Sequence, residues 1–490
     1  MYTDLLERQR RFFRSGETRS IKFRKQQLLK LKSLIEENKA ALCEAVWKDL
    51  RRRHESTEIL EISICLTEIE YFLKNIEDWS KPTYVEKTFV TALDKPVIEK
   101  DPKGVVLIMS PWNYPVSMIL LPMVPAIAAG NTVVIKPSEL SENVAALFTE
   151  LIPSYFDSNY VAVVPGAIPE TTELLKERFD HIMYTGCPPV AKIIMAAAAK
   201  HLTPVTLELG GKCPVIIEGD ADIDLSAKRV AWGKWTNCGQ TCLAPDYVLI
   251  HDDDKPKFIE SLQKYIHQFY GDDIKSSKDY SRIINKRHFD RISKLLDESK
   301  GKQLIGGERE REDLFIPPTV LDVKRNDVFM SDEIFGPVLP IITVSCLSDA
   351  IEYIAEGEKP LAAYIFTRNE RKVQRLVTET SSGGITVNDV IMHMTVDTLP
   401  FGGVGTSGMG RYRGKFGFDT FTHEKAVLHR GFFGESLLSA RYPPATPQKL
   451  DQLKKLTGKR VSLNLMSLPT IPVVCVSVLC GMGIQKYTNL

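Results

Sequence analysis

The sequence predicts an α/β protein of two domains, each built on a mainly parallel sheet with helices on both faces. Three observations carry this. Short apolar runs such as Gly104-Val105-Val106-Leu107-Ile108-Met109 read as strands buried on both sides. Stretches with apolar residues at helical spacing alternate with them. At 490 residues the chain is too long for one simple core.

The first eighty residues are helical. Leu28, Leu31, Leu34 and Ile35 recur at helical spacing, as do Ile59, Ile62, Leu66 and Ile69. Thr83 to Lys100 turns short and extended. After the strand at 104–109, Met118 to Ala129 reads as a helix stopped by Gly130. Asn131 to Lys136 is a strand. Ser141 opens a helix with Val144, Leu147, Phe148 and Leu151 on one face. Tyr160–Val164 and His181–Tyr184 are strands, and a helix follows Pro188. Beyond Glu208, Val215–Ile217, Tyr247–Ile250 and Val338–Ile342 read as strands. Phe258–Phe269 and Ala350–Ala355 read as helices.

Hydrophobic residues make up 43% and charged residues 26%, the balance of a soluble globular chain. A net charge of +1 gives no basic face for nucleic acid. The nine cysteines lack regular spacing, which points to free thiols. Residues 1–30 contain no secretory signal. Val461 to Gln485 carries no charge and follows Lys449, Lys454, Lys455, Lys459 and Arg460. A C-terminal membrane anchor with the body on the cytosolic side is expected. Its most apolar part, Ile471–Ile484, is shorter than the ~20 residues of a spanning helix. A tail folded back onto the body or a partner subunit is the alternative.

Cys242 ends the run Asn237-Cys238-Gly239-Gln240-Thr241-Cys242, whose small, polar residues form core poorly and offer a thiol an accessible setting. A buried structural thiol is the other reading. No third ligand stands at zinc spacing, so no metal is expected. Glu208 sits in an apolar run before Gly210 and Gly211, which allow close backbone approach. It has an ion pair, a backbone hydrogen bond or a raised pKa open to it. A thiolate and a carboxylate base suffice to attack a carbonyl and then activate water. Asn113 follows the strand at 104–109, where an amide can donate to an oxyanion or simply close a turn. Gly403, Gly405 and Gly408 spell a dinucleotide fingerprint, but no strand precedes them and no apolar helix follows. Tyr184-Thr185-Gly186-Cys187, a strand end before a helix, is the better phosphate site. Tyr114, Trp235 and Tyr412 point to an apolar entrance.

These runs together resemble the aldehyde dehydrogenase superfamily. The resemblance rests on residues 111–115, Ile135-Lys136-Pro137-Ser138-Glu139, Glu208-Leu209-Gly210-Gly211-Lys212, Gly239-Gln240-Thr241-Cys242, Glu333-Ile334-Phe335-Gly336-Pro337 and Pro400-Phe401-Gly402-Gly403. Ala244-Pro245-Asp246-Tyr247 and Arg441-Tyr442-Pro443-Pro444 resemble the class 3 and fatty aldehyde dehydrogenase branch. The resemblance implies a Rossmann-like cofactor domain (1–82 and 101–207) and an α/β catalytic domain (208–422). It adds a small β oligomerisation arm (83–100 and 423–440), a joint at 441–460 and a hydrophobic tail at 461–490. It implies Cys242 as nucleophile, Asn113 and the Cys242 N–H as oxyanion donors, and Glu208 as the base that activates water. Lys136 and Glu139 would hold the adenosine ribose, Gly186 would stand at the phosphates, Glu333 would hold the nicotinamide ribose, and Phe335 would pack near the ring. The substrate would be a medium- to long-chain aldehyde, the assembly a homodimer, and the location the cytosolic face of the endoplasmic reticulum or the cytosol. Glu139 would repel a 2′-phosphate, so NAD is expected over NADP. Cys187 and Pro188 stand at the Ser and Thr of the family's usual Gly-Ser-Thr-x-x-Gly turn, here Gly186-Cys187-Pro188-Pro189-Val190-Ala191, and Thr406 replaces an Asn. A cofactor-free thiol esterase and an inactive scaffold that keeps the fold are the alternatives.

Overall fold

The computed structural model describes residues 2–433 and 435–457. The expected tail at 461–490 lies outside the described residues, as does the end of the joint. Two compact units emerge: 1–80 with 101–423, and 81–100 with the chain from 424 on.

The larger unit holds two sheets. In the first, strands β1 (Val105–Met109), β2 (Thr132–Lys136), β3 (Val161–Val163), β4 (His181–Thr185) and β5 (Val205–Glu208) are parallel. Their spatial order is β5-β4-β1-β2-β3. The chain leaves β1 toward β2 and β3, then returns on the other side through β4 and β5. The crevice past the C-terminal ends of β1 and β4 is therefore the switch point at which such sheets bind ligands. Every residue of β1 and β2 is buried, as their unbroken apolar runs require.

The second sheet contains β6 (Pro214–Ile217), β7 (Tyr247–Ile250), β8 (Lys302–Ile305), β9 (Thr319–Asp322), β10 (Val338–Thr343), β11 (Ala362–Phe366) and β12 (Gly384–Val387). Its order is β8-β9-β10-β7-β6-β11-β12, parallel except between β8 and β9. The sequence reading found β6, β7 and β10 and missed the others. The short β11 run, Ala-Ala-Tyr-Ile-Phe, is fully buried between β6 and β12. A last strand, β13 (Gly408–Met409), crosses back to pair antiparallel with β5, so Gly408 lies opposite Glu208. Of Gly403, Gly405 and Gly408, Gly408 packs directly on the strand that carries the candidate base, where a Cβ would meet the Leu207 carbonyl oxygen at 2.4 Å. A Cβ on Gly403 would meet the Ser407 carbonyl oxygen at 2.0 Å.

Helix α1 (Ser117–Ala129) is buried almost throughout and packs against the helices Ile21–Glu37 and Ser63–Trp79. Gly130 ends it at φ 92°. Helix α2 (Pro188–Ala199) follows β4, and helix α3 (Ile223–Trp235) precedes the Cys242 loop. The smaller unit carries a three-stranded sheet of Thr83–Tyr84, Lys95–Pro102 and Thr422–His429. Among the described residues no helix is long and apolar enough to cross a membrane.

Candidate active site

Strand β5 ends on Glu208, and the Cys242 loop follows α3. Between α3 and Cys242 the backbone turns left-handed at Asn237 (φ 52°), Cys238 (φ 56°) and Gly239 (φ 74°). Gly239 is required there. A Cβ would stand 2.2 Å from the Gly336 carbonyl oxygen. The expected poor core formers Gly239, Gln240 and Thr241 are buried after all, and the Gln240 amide is fully paired. Gln240 Nε2 donates to Asn237 O (3.1 Å) and Arg282 O (2.9 Å), and its Oε1 accepts from Ile284 N (2.9 Å). Cys242 stays half-buried at the end of this rigid loop.

Asn113, 5% exposed, lies opposite. Its Nδ2 donates to Gln240 O at 3.0 Å, which locks the amide plane. An amide nitrogen has two hydrogens, so one remains for a ligand. Tyr114 OH and Thr241 Oγ1 are 2.9 Å apart, a second tie between the loops. Among the described residues no acceptor takes the Cys242 backbone N–H.

Glu208 is 2% exposed, and apart from the neighbouring Cys242 thiol neither carboxyl oxygen has a partner. Of its three open options, the raised pKa is realised. Burial pushes it up to about 8, and the adjacent Cys242 thiol offsets this only in part. The Cys242 thiol is raised well above its ordinary value by burial, then by Glu208 and Glu333. Thiol and carboxyl thus rest as neutral neighbours. The Cys213 thiol donates to the Cys242 carbonyl at 3.3 Å.

One cavity of about 1620 Å³ is lined by Asn113, Glu208 and Cys242 and also by Lys136, Glu139, Gly186, Glu333 and Phe335. All the residues singled out for chemistry therefore converge. That volume exceeds the ~300–1,000 Å³ of an ordinary ligand pocket and fits two ligands. Lys136 Nζ is buried and donates to Pro137 O (2.9 Å) and Glu139 Oε2 (3.1 Å), keeping a third hydrogen. Glu333 packs over Gly210, where a Cβ would meet its Oε2 at 2.3 Å, and accepts from the Gly211 N–H. Burial, then Asp246, raises Glu333 to about 8. Phe335, at φ 48°, meets Trp112 edge-on at 5.3 Å. These groups fit a dinucleotide: an amine and carboxylates at two separated points along a switch-point crevice. Gly186 N donates to Glu208 O at 3.0 Å, so the phosphate turn is tied to the base strand. The Cys187 N–H goes to Tyr184 OH (3.0 Å), and Pro188 and Pro189 have none. Val190 keeps the first unspent donor of α2. Thr406 Oγ1 donates to Glu358 Oε2 at 2.9 Å.

Two aromatics expected at the entrance are elsewhere. Trp235 and Tyr412 are each 1% exposed. Trp235 Nε1 donates to Pro337 O at 3.0 Å. The apolar lining comes from Tyr114, Met118, Trp232, Ile391, Met394 and Phe401 instead. Sequence reasoning also missed Arg52 and Glu61, both buried behind Asn113. Arg52 is hidden in the Arg51-Arg52-Arg53 run, which reads as a solvated face. Glu61 abuts the apolar Ile62. Among the described residues no His, Cys, Asp or Glu cluster could hold a metal.

The family model described as aldehyde dehydrogenase family matches residues 4–427. Aldehyde dehydrogenase family 3 member A2 of Mus musculus is 48% identical over 449 residues, 91% of this chain and 92% of that one. The dimeric NADP-preferring aldehyde dehydrogenase of Rattus norvegicus is 49% identical over 449 residues, 91% of this chain and 98% of that one. The substrate-bound structure of Staphylococcus aureus AldH superposes with a TM-score of 0.90 at 41% identity, covering 93% of this chain and 99% of that one. The chain therefore belongs to the aldehyde dehydrogenase family, in its family 3 branch, and is an enzyme that oxidises aldehydes with NAD or NADP.

Proposed function

We propose that the chain oxidises medium- to long-chain aldehydes to carboxylic acids through a covalent thioester on Cys242. The observation that carries this is a buried, otherwise unpartnered Glu208 carboxyl beside the Cys242 thiol in an apolar-walled cavity. Glu208 in its carboxylate form takes the thiol proton and passes it to solvent, and sulfur adds to the carbonyl carbon. Asn113 Nδ2 and the Cys242 N–H donate to the oxyanion. Lys136 and Glu139 hold the adenosine ribose, Gly186 leaves room at the phosphates, and Glu333 and Phe335 orient the nicotinamide end. When bound, NAD would supply the acceptor for the hydride that leaves the adduct carbon as the thioester forms. Glu208 then takes a proton from water, whose oxygen adds to the thioester. The carbon–sulfur bond breaks, Glu208 returns the water proton to the leaving sulfur, and acid and thiol separate.

Glu139, beside Lys136, would repel a 2′-phosphate at close range, which favours NAD. Residues 1–82 with 101–207 act as the cofactor half and 208–422 as the catalytic half. Segments 83–100 and 423–440 form the arm of a homodimer, a reading supported by the dimeric relative. The uncharged tail tethers the enzyme to the cytosolic face of an intracellular membrane, the endoplasmic reticulum first. Purified protein should reduce NAD faster than NADP with hexadecanal, and Cys242→Ala should abolish both. Aldehyde oxidation surviving that substitution overturns the mechanism.

A further inference from the structure

The loop that carries Asn113 is gripped from behind by a buried charge pair. The side chains of Arg52 and Glu61 are 2% and 0% exposed and form an ion pair. Arg52 Nη1 donates to the Asn113 backbone carbonyl at 3.2 Å, and its Nε to Thr57 Oγ1 at 3.4 Å. Its guanidinium lies 4.8 Å from the Tyr114 ring centroid. Glu61 Oε2 accepts the N–H groups of Val116 and Ser117, each at 2.8 Å. Arg52 thus holds residues 113 and 114, while Glu61 holds 116 and 117 at the start of α1. Asn237 Nδ2 shares the Asn113 carbonyl at 2.9 Å, which links this bracket to the Cys242 loop.

Stability alone does not account for the pair. Buried ion pairs are commonly no better than apolar side chains of equal volume. What the pair adds is a fixed geometry, and the planar guanidinium fork suits it to two acceptors and a ring at once. Glu61 lies in the wide π-helical turn Glu58–Ile62, a local irregularity often found near functional sites.

We propose that Arg52, with Glu61 as its counter-ion, is a positioning residue that sets Asn113 Nδ2 for the oxyanion. Arg52 touches neither substrate nor cofactor and acts only through the Asn113 loop. The inference rests on the function read above.

The test is a double-mutant cycle in the full chain, with hexanal and NAD. Arg52→Met should lower kcat about 10- to 100-fold, the scale of a small misplacement at a reacting centre. The Kd for NAD, read by fluorescence, should not move. Arg52→Lys should recover only part of the rate, because an ammonium keeps the charge but lacks the planar fork. In an Asn113→Ala background, Arg52→Met should cause no further loss. Losses that multiply in the double variant, or an unaltered kcat in Arg52→Met, overturn the proposal. Should Arg52→Met not fold, Arg52→Met with Glu61→Gln removes both charges and keeps an acceptor for the Val116 and Ser117 N–H groups. That variant should fold and show the same low kcat, and a full rate there also overturns the proposal. A wild-type chain that oxidises no aldehyde would overturn the functional reading and this inference together. An active wild type with multiplying losses overturns this inference alone.

Discussion

Glu208 has two tasks that its environment sets in opposition. It must lose a proton to act as a base, yet its burial favours the neutral acid up to about pH 8. Its ordinary value is ~4.3. Below about pH 4 folded and unfolded chains both hold the proton. Between there and about 8 only the folded chain keeps it, so the group's contribution to stability declines as pH rises through that window. Glu208→Gln should therefore raise Tm relative to wild type at pH 9, by on the order of a few kcal/mol in stability. The same substitution should slow acid release by roughly 10²- to 10⁴-fold, the usual worth of a general base. Because Glu208 also takes the thiol proton, the first NADH turnover should slow as well, with the thioester accumulating on Cys242 behind it. In wild type the release step should accelerate as pH rises toward 8, and the glutamine variant should lose that limb. Stopped-flow traces across pH 6–9 decide it. A wild-type profile that is flat, or a variant that keeps the limb, removes Glu208 from the role.

At the scale of elements, helix α2 begins with unusually few donors. Pro188 and Pro189 supply no N–H, and Tyr184 OH occupies that of Cys187. Proline in the first turn costs the helix nothing, since those donors have no partner inside it. The cost falls on any anion placed there, because the N-terminal N–H groups are what an anion binds. Pro189→Ala should restore one donor and tighten NAD, lowering Kd by about 3- to 10-fold for a hydrogen bond of ~1 kcal/mol. Calorimetry on wild type and variant reads this directly, and an unchanged Kd means that α2 does not meet the phosphates. These prolines were legible in the sequence, as were β1, β2 and β4, whose apolar runs are long enough to mark buried strands. The site residues were legible because each stands at a strand end or in a glycine-rich turn. The brackets behind them were not. Arg52 sits in a basic triplet, and only the fold shows that its middle member points inward. Trp235 and Tyr412 stand beside motifs in the chain but face the core, a distinction that sequence proximity does not carry. β11 was missed because two alanines open its short run.

At the scale of the whole molecule, the catalytic body and the tail ask for different surroundings. The body is a globular chain whose cavity gathers the site residues. Residues 461–485 carry no charge, and basic residues precede them. Helix Pro447–Thr457 leads toward that run, exposing Leu450 beside Lys454 and Lys455. Each lysine near an anionic membrane surface contributes ~1 kcal/mol of attraction. The apolar segment adds ~0.8 kcal/mol for each methylene it buries. Full-length protein should therefore pellet with membranes and resist a carbonate wash, whereas a chain ending at Tyr442 should remain in the supernatant. Because every cavity-lining residue precedes Tyr442, the shortened chain should keep its kcat/KM on hexanal. Its rate on hexadecanal dissolved in vesicles should fall, since that substrate partitions into the bilayer that the tail would hold nearby. A full-length chain washed off by carbonate ends the tether, and equal vesicle rates for the two chains separate the tether from substrate supply.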